Sequence, residues 1–257
     1  MFESTGVLAI DIHCHYNHGS PHDTEADMKL YNPTLEYLKR VYDQLGIAVS
    51  CCSTFAGVIS AEDVVEENEY AFQKAREIDW LYQWVVIDPR RDETFQQAYR
   101  MLKTEKCVGI KLHPPYHGYS ILDYGDKVFS FASENRAIVQ IHPETQALHL
   151  LTFADRYPNM KLIIAHLGSV EHVEAICQAK HKNVYVDTSG VASSKNAVIE
   201  YAVSRAGSEH ILFGTDTYSA AFQRGRIEGA LISKEDKINI LQKNALRLLG
   251  SKISLPL

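Results

Sequence analysis

The 257-residue chain contains no run approaching the roughly 20 consecutive apolar residues that a membrane span requires. It also lacks any dense stretch of Lys or Arg: 26 basic residues face 32 acidic ones, for a net charge of −6. A nucleic-acid partner or an anionic membrane surface is therefore not expected. Cysteine is scarce and odd in number, and Cys14, Cys51, Cys52, Cys107 and Cys177 show no C-x-x-C spacing. They read as buried thiols rather than disulfides. The first residues, Met1 to Thr5, show neither a basic region nor an apolar one of the secretory kind. A reduced, cytoplasmic setting is the expectation. No Pro/Gly/Ser-rich linker divides the chain, and no low-complexity tract occurs in it.

What is present is an alternation of two patterns. Eight apolar runs of strand length stand at Leu8–His13, Ala48–Ser53, Tyr82–Ile87, Val108–Leu112, Ala137–Ile141, Lys161–Ala165, Val184–Asp187 and Ile211–Gly214. Most are near-continuous Val, Ile and Leu, as in parallel strands covered on both faces. Between them lie segments of helical period. Asn32 and Pro33 suit an N-cap and a first-turn proline, Leu35, Leu38, Tyr42 and Leu45 mark one face, and Gly46 ends the helix. Ser60 with Asp63 resembles a capping box. A last helix is expected from Ser233, with Asp236 three residues on and Gly250 as its stop.

Eight such units in one chain of this length point to an α/β fold, a single (β/α)8 TIM barrel over residues 1–257. The competing architecture is an open doubly wound sheet. No G-x-G-x-x-G or Walker loop follows the first run, which counts against it. Two long connections, Tyr16–Tyr31 and Pro114–Asp123, are expected to act as lids.

In a barrel of this kind, side chains at the C-terminal ends of the strands converge on one mouth. His13 and His15 end the first run, His113 the fourth, His142 the fifth and His166 the sixth, and Asp216 closes the eighth. A lone strand-end histidine is usually a hydrogen-bonded structural residue, and an isolated H-x-H is weak evidence. Five histidines and an aspartate at matching ends of five strands are not so easily dismissed. Residues two apart on a strand project to the same side, so His13 and His15 face one way and Cys14 the other. His142 and Asp216 would complete three nitrogens and one oxygen around one divalent ion. That set suits Zn²⁺ best and also admits Mn²⁺, Fe²⁺ or Co²⁺.

These motifs resemble the amidohydrolase superfamily, in particular the amidohydrolase-related branch that includes aminocarboxymuconate semialdehyde decarboxylase. The matching pieces are Asp11-Ile12-His13-Cys14-His15, Gly109-Ile110-Lys111-Leu112-His113-Pro114, Ile141-His142-Pro143 and Ile164-Ala165-His166-Leu167-Gly168. Val186-Asp187-Thr188-Ser189-Gly190, Phe213-Gly214-Thr215-Asp216 and the stretch from Asn244 to Gly250 continue the match in order. The resemblance implies His13, His15, His142 and Asp216 as ligands of one metal. It implies His166 as a catalytic histidine beside the ion, and Asp216 as a base as well as a ligand. Some two-metal members carry a carboxylated lysine or a glutamate on strand 4, so a bridging Lys111 would mean a second ion. The related TatD nucleases have a glutamate near strand 4 that is absent here.

The chemistry expected first is hydrolysis of an amide, ester or lactone of a small molecule by metal-activated water, helped by His166. The second reading keeps the metal and makes the protein a non-oxidative decarboxylase of an aromatic or unsaturated acid. Lys111, Arg224 and Arg226 are then the nearest candidates in sequence to hold the leaving carboxylate, although Arg224 and Arg226 read first as residues of a solvated loop. A third reading is a non-catalytic barrel that binds a metal or ligand. His113, Lys111, Tyr116, His117 and Tyr218 are expected to line the substrate pocket, whereas His18 and His22 read as exposed loop residues. Asp187 reads as support for a ligand or as a helix cap. A homodimer is compatible with the family.

Overall fold

Residues 4–19, 30, 33–216 and 218–255 are described by a computed structural model. Eight parallel strands pair in sequence order: β1 (Ala9–Tyr16), β2 (Ile47–Thr54), β3 (Leu81–Val86), β4 (Cys107–Leu112), β5 (Ile138–Ile141), β6 (Lys161–Ile164), β7 (Val184–Asp187) and β8 (Ile211–Leu212). All eight expected runs are strands. β1 continues three residues past His13, and β8 stops two short of Gly214. The seam between β8 and β1 closes through backbone bonds. Ile12 N–H donates to Phe213 O, and the N–H groups of Thr215 and Asp216 both donate to His13 O. The result is a (β/α)8 barrel.

The helices are α1 (Leu35–Leu45), α2 (Phe55–Ile59), α3 (Val64–Glu77), α4 (Asp92–Met101), α5 (Pro114–His117), α6 (Ile121–Glu134), α7 (Leu151–Arg156), α8 (Val170–Gln178), α9 (Val198–Ala206), α10 (Ala220–Gly229), α11 (Lys234–Ile238) and α12 (Asn244–Leu249). Local chemistry sets several of their ends. Thr34, not Asn32, caps α1 by accepting from Tyr37 N–H, and Gly46 ends that helix in the left-handed region at φ 63°. Asn32 lies outside the described residues. Ser60 Oγ donates to the Asp63 carboxylate and accepts from Asp63 N–H, but Ser60 N–H goes to Ala56 O and α3 starts after Asp63, so the expected capping box is only half formed. Ser233 does cap α11, its Oγ accepting from Asp236 N–H and donating to the Asp236 carboxylate. The single last helix is broken instead by a π turn at Asn239–Lys243.

One apolar cluster fills the barrel, with Ile10, Ile12, Val49, Trp84, Val108, Ile163 and Leu212 among its members, and α12 packs against it through Ala245 and Leu249. Gly109 is required here, because a Cβ would lie 2.4 Å from the Trp84 ring and from Ile138 O. A second, larger cluster lies between strands and helices and includes Ala9, Cys14 and Tyr42. Cys14, Cys51, Cys52 and Cys107 are buried free thiols, while Cys177 on α8 is exposed.

β1 does not alternate strictly, and the site depends on that. Ile10 and Ile12 point into the barrel, so plain alternation would turn His13 outward. The pairing passes from Asp11↔Ser50 to Cys14↔Cys52, three steps on β1 against two on β2. This bulge flips the parity and sends His13 and His15 inward and Cys14 outward. The buried Asp11 carboxylate braces it, accepting from His13 N–H (3.1 Å), Thr215 N–H (3.1 Å), Thr215 Oγ1 (2.6 Å) and Tyr42 Oη (2.6 Å). Burial pushes this carboxyl up to about 7 against the pull of those donors.

The two expected lids fare differently. Most of Tyr16–Tyr31, His22 included, lies outside the described residues. The stretch after β4 is no open loop: it folds into α5, and Pro114, His117 and Tyr119 are buried. Arg90 pins that turn by donating to His117 O (2.5 Å) and Gly118 O (3.2 Å) while held by both oxygens of Asp88. No helix among the described residues is long and apolar enough to cross a membrane.

Candidate metal centre

At the C-terminal ends of the strands, His13 Nε2, His15 Nε2 and Asp216 Oδ1 form a triangle. Its sides are 3.3 Å between the two nitrogens, 3.9 Å from His13 to Asp216 and 3.6 Å from His15 to Asp216. Two donors bonded at about 2.1 Å to one ion stand about 3.0 Å apart at a right angle and about 3.4 Å apart at the tetrahedral angle. The nitrogen–nitrogen side falls within that range, and the two sides to Asp216, at 3.6 and 3.9 Å, are slightly longer. Each imidazole is held from behind. His13 Nδ1 meets Asp187 Oδ2 at 2.9 Å, and His15 Nδ1 meets Ser53 Oγ at 3.0 Å. Each ring therefore turns Nε2 toward the triangle, the arrangement that supports a metal-binding histidine. A second grouping of His13, His166 and Asp187 uses the supporting side of His13 and reads as that support.

Charge and burial suit neutral ligands. Burial first, then the Lys111 ammonium, lowers the His13 and His15 imidazoles, and those of His15 fall well below the usual range. Burial and the neighbouring His166 bring His142 down to about 3. Burial would raise Asp187, but its pairing with His13 and the hydrogen bond from Ser189 outweigh it and hold the carboxyl well below the ordinary range. At neutral pH the site thus offers uncharged imidazoles, the form that binds metal ions, backed by the Asp187 carboxylate.

Lys111 is wholly buried, with Nζ 2.6 Å from His13 Nε2 and 3.3 Å from Gln140 Oε1. Desolvation brings this ammonium down to about 8, opposed by Asp216 and Asp187. One lone pair on His13 can serve one cation at a time.

His166 and Asp216 share a backbone feature. Both follow a strand and have positive φ, 67° and 60°, two of the four such non-glycine residues described. Asp and His tolerate this region better than most residues. The turn at each lets the side chain reach β1: the His166 ring centroid is 5.1 Å from that of His13, and Asp216 closes the triangle. Gly190 allows the His166 ring to sit close, since its φ is 75° and a Cβ there would lie 2.7 Å from His166 Nδ1.

The other expected residues divide. His142 is not grouped with the triangle; its Nδ1 meets His166 Nε2 at 3.0 Å, and its ring stacks on His113 at 4.3 Å. His113 stacks in turn on the exposed Tyr116 at 4.4 Å, so three rings run in a row from the site to solvent. His117 is engaged elsewhere, with Nε2 3.1 Å from Gly57 O on α2, and acts as an anchor for α5 rather than as a pocket wall. Tyr218 is 41% exposed, outside the buried cluster. Arg224 and Arg226 are not loop cations near a leaving group. Both lie on α10, where Arg224 donates to Val7 O, Leu45 O and Gly46 O, and Arg226 to Ser193 Oγ. His18 is not a solvated loop residue either: it stacks on Tyr70 and pairs with Glu67.

Sequence reasoning missed Ser189, Gln140 and Ser53, the neutral partners behind the charged groups. For Ser189 a faint signal existed: it lies two residues past Asp187 and just before a glycine.

The family model described as Amidohydrolase matches residues 10–251. The chain belongs to this family. Its fold is that of 2,6-dihydroxybenzoate decarboxylase from Rhizobium (14% identity, TM-score 0.73, 95% of this chain and 98% of that one). It is likewise that of 5-carboxyvanillate decarboxylase from Sphingomonas paucimobilis (14%, 0.75, 95% and 99%). A dihydroxybenzoic acid decarboxylase from Polaromonas, bound to manganese and the inhibitor 2-nitroresorcinol, is also similar (16%, 0.72, 96% and 98%). No curated protein matches the sequence. At these identities the likeness is one of fold. With the family match, it agrees with the branch that the motifs pointed to.

Proposed function

We propose that this amidohydrolase-family protein is a metal-dependent, non-oxidative decarboxylase of a small aromatic or unsaturated carboxylic acid. The observation that carries this reading is Lys111, a fully buried ammonium beside the histidine–aspartate triangle. Asp216 and Asp187 act on that ammonium through their charge, but its hydrogen bonds among the described residues go to His13 and Gln140, which are neutral. A substrate carboxylate would supply the hydrogen-bonded anion that a buried cation favours, whereas a neutral amide, ester or lactone would not. The decarboxylases among the structural neighbours support the same choice, so the expectation of hydrolysis takes second place.

His13, His15 and Asp216 would hold the divalent ion, with His142 close by as a further nitrogen. The manganese of the Polaromonas enzyme makes Mn²⁺ as natural a choice as Zn²⁺. Such an ion supplies polarisation of a substrate oxygen. When His13 Nε2 serves the ion, the Lys111 ammonium is left to pair with the substrate carboxylate. The row of rings from His142 through His113 to Tyr116 offers a flat wall for an unsaturated acid. His166, carrying a proton on Nε2, hands it to the carbon that loses its carboxylate. The C–C bond breaks, its electron pair stays on that carbon to form the new C–H bond, and CO₂ leaves.

The test is CO₂ release from 2,6-dihydroxybenzoate, 5-carboxyvanillate and related unsaturated acids by protein loaded with Mn²⁺ or Zn²⁺, beside a panel of lactones, esters and amides. Metal-dependent CO₂ release, lost on chelation, is the expected result. Turnover confined to the lactone, ester and amide panel would overturn the proposal in favour of hydrolysis.

A further inference from the structure

Ser189 lies just beyond β7 and is fully buried. Its hydroxyl reaches three groups at once: Asp187 Oδ1 at 2.5 Å, His13 Nδ1 at 3.0 Å and His166 Nδ1 at 3.0 Å. A hydroxyl has one proton and two lone pairs. The carboxylate can only accept, so the proton goes to Asp187 and the lone pairs face the two rings. The ring nitrogens must then be the donors. Two further contacts demand the same assignment. His13 Nδ1 also faces Asp187 Oδ2 at 2.9 Å, and His166 Nδ1 also faces the carbonyl Ser189 O at 3.3 Å. Neither oxygen has a proton to give.

We propose that Ser189 is a positioning residue: its one hydroxyl locks His13 and His166 together as Nδ1–H tautomers, leaving Nε2 of both rings bare and aimed into the site. For His13, bare Nε2 is the atom of the metal-ligand triangle. For His166, bare Nε2 is the one place where a proton can be taken up and handed on. Asp187 anchors the arrangement by accepting from Ser189 Oγ, Ser189 N–H and His166 N–H on one oxygen. Its other oxygen accepts from Gln140 and faces His13. The two histidines differ in what remains without Ser189. His13 keeps the Asp187 carboxylate as a strong acceptor, whereas His166 Nδ1 keeps only the longer carbonyl contact while its Nε2 faces His142 Nδ1 at 3.0 Å, a nitrogen able to accept as well as donate.

That difference gives a test that requires no substrate. In metal-free protein, imidazole ¹⁵N NMR distinguishes protonated from bare ring nitrogens, and His166→Asn identifies the His166 signals. The wild type is expected to show both rings as single Nδ1–H tautomers. In Ser189→Ala, His166 should become a mixture of tautomers while His13 stays as it was. Zn²⁺ affinity, measured by competition with a chelator, should stay within about tenfold of the parent, because the ligand His13 keeps the Asp187 carboxylate behind it. Ser189→Cys, with a similar shape and a weak S–H, should recover part of the single His166 tautomer, and it carries the measurement if the alanine variant does not fold. A single unchanged His166 tautomer in the folded variant overturns the proposal, whatever happens to Zn²⁺ affinity. Because the tautomers are read without metal or substrate, failure of the decarboxylase reading leaves this result standing.

Discussion

Asp11 and Thr215 meet across the seam that closes the barrel, with the Thr215 N–H and hydroxyl both donating to the Asp11 carboxylate at 3.1 and 2.6 Å. The pair lies directly behind the bulge that turns His13 inward, so it links closure of the barrel to the direction of a candidate ligand. Thr215→Val keeps the shape and removes one donor from a buried carboxylate. The expected loss is about 1–3 kcal/mol of stability, the cost of leaving a buried acceptor short of a partner. Denaturant unfolding of the metal-free variant measures it. A change below about 0.5 kcal/mol would mean that the other three donors suffice.

Asp216 gives the sharpest test of the triangle. Its φ of 60° makes alanine a poor probe, since that variant would add backbone strain to the loss of a ligand. Asparagine tolerates this region and removes the charge. Asp216→Asn should unfold within about 0.5 kcal/mol of the parent. Its Zn²⁺ or Mn²⁺ affinity should nevertheless fall by more than the roughly 10–100-fold typical of outer partners. Unchanged metal binding by calorimetry would remove Asp216 from the ligand set.

How much of this was legible beforehand follows from what each part depends on. The strands were readable because double-sided burial writes continuous Val, Ile and Leu runs such as Val108–Leu112 and Lys161–Ala165. The inward pair His13 and His15 followed from their spacing of two. The bulge that makes that spacing face the right way leaves no local mark, because the donors that brace it come from Tyr42 and Thr215, far along the chain. His113 and His117 look alike in sequence. Only the formation of α5 separates them, stacking one on His142 and tying the other to Gly57 O. Hydroxyl and amide partners such as Ser189 and Gln140 carry no charge, and only Ser189, two residues past Asp187, has a spacing that points to it. Their roles appear only once β5 and β7 are brought beside β1.

Lys111 links stability to pH. Desolvation brings its folded-state value from 10.5 down to about 8, so the folded protein binds this proton less readily than the unfolded chain. A depressed value of this kind contributes stability above pH 10.5, and that contribution is lost as pH falls toward 8. At pH 7 the burden is about 3 kcal/mol. Lys111→Met should therefore make the metal-free protein more stable at pH 7, by up to about that amount, with the gain shrinking as pH rises from 8 to 10.5. Urea unfolding at pH 7 and pH 10 reads both points. A variant less stable than the parent at pH 7 would show that Asp216, Asp187 and Gln140 fully compensate the buried charge.

Tyr116 separates substrate binding from folding. It is 58% exposed, and among the described residues its ring stacks on His113, the middle member of the row. Truncating an exposed side chain of this kind costs the fold little, within about 0.5 kcal/mol. An aromatic ligand that packs against the row would lose a ring contact worth about 0.5–1.5 kcal/mol. Tyr116→Ala is thus expected to keep its melting temperature and metal content. It should bind 2-nitroresorcinol, the inhibitor held by the Polaromonas enzyme, about two- to twelvefold more weakly in the metal-loaded form. Equal binding by variant and parent would place the ligand away from the row and leave the His113–Tyr116 stack as a brace for α5.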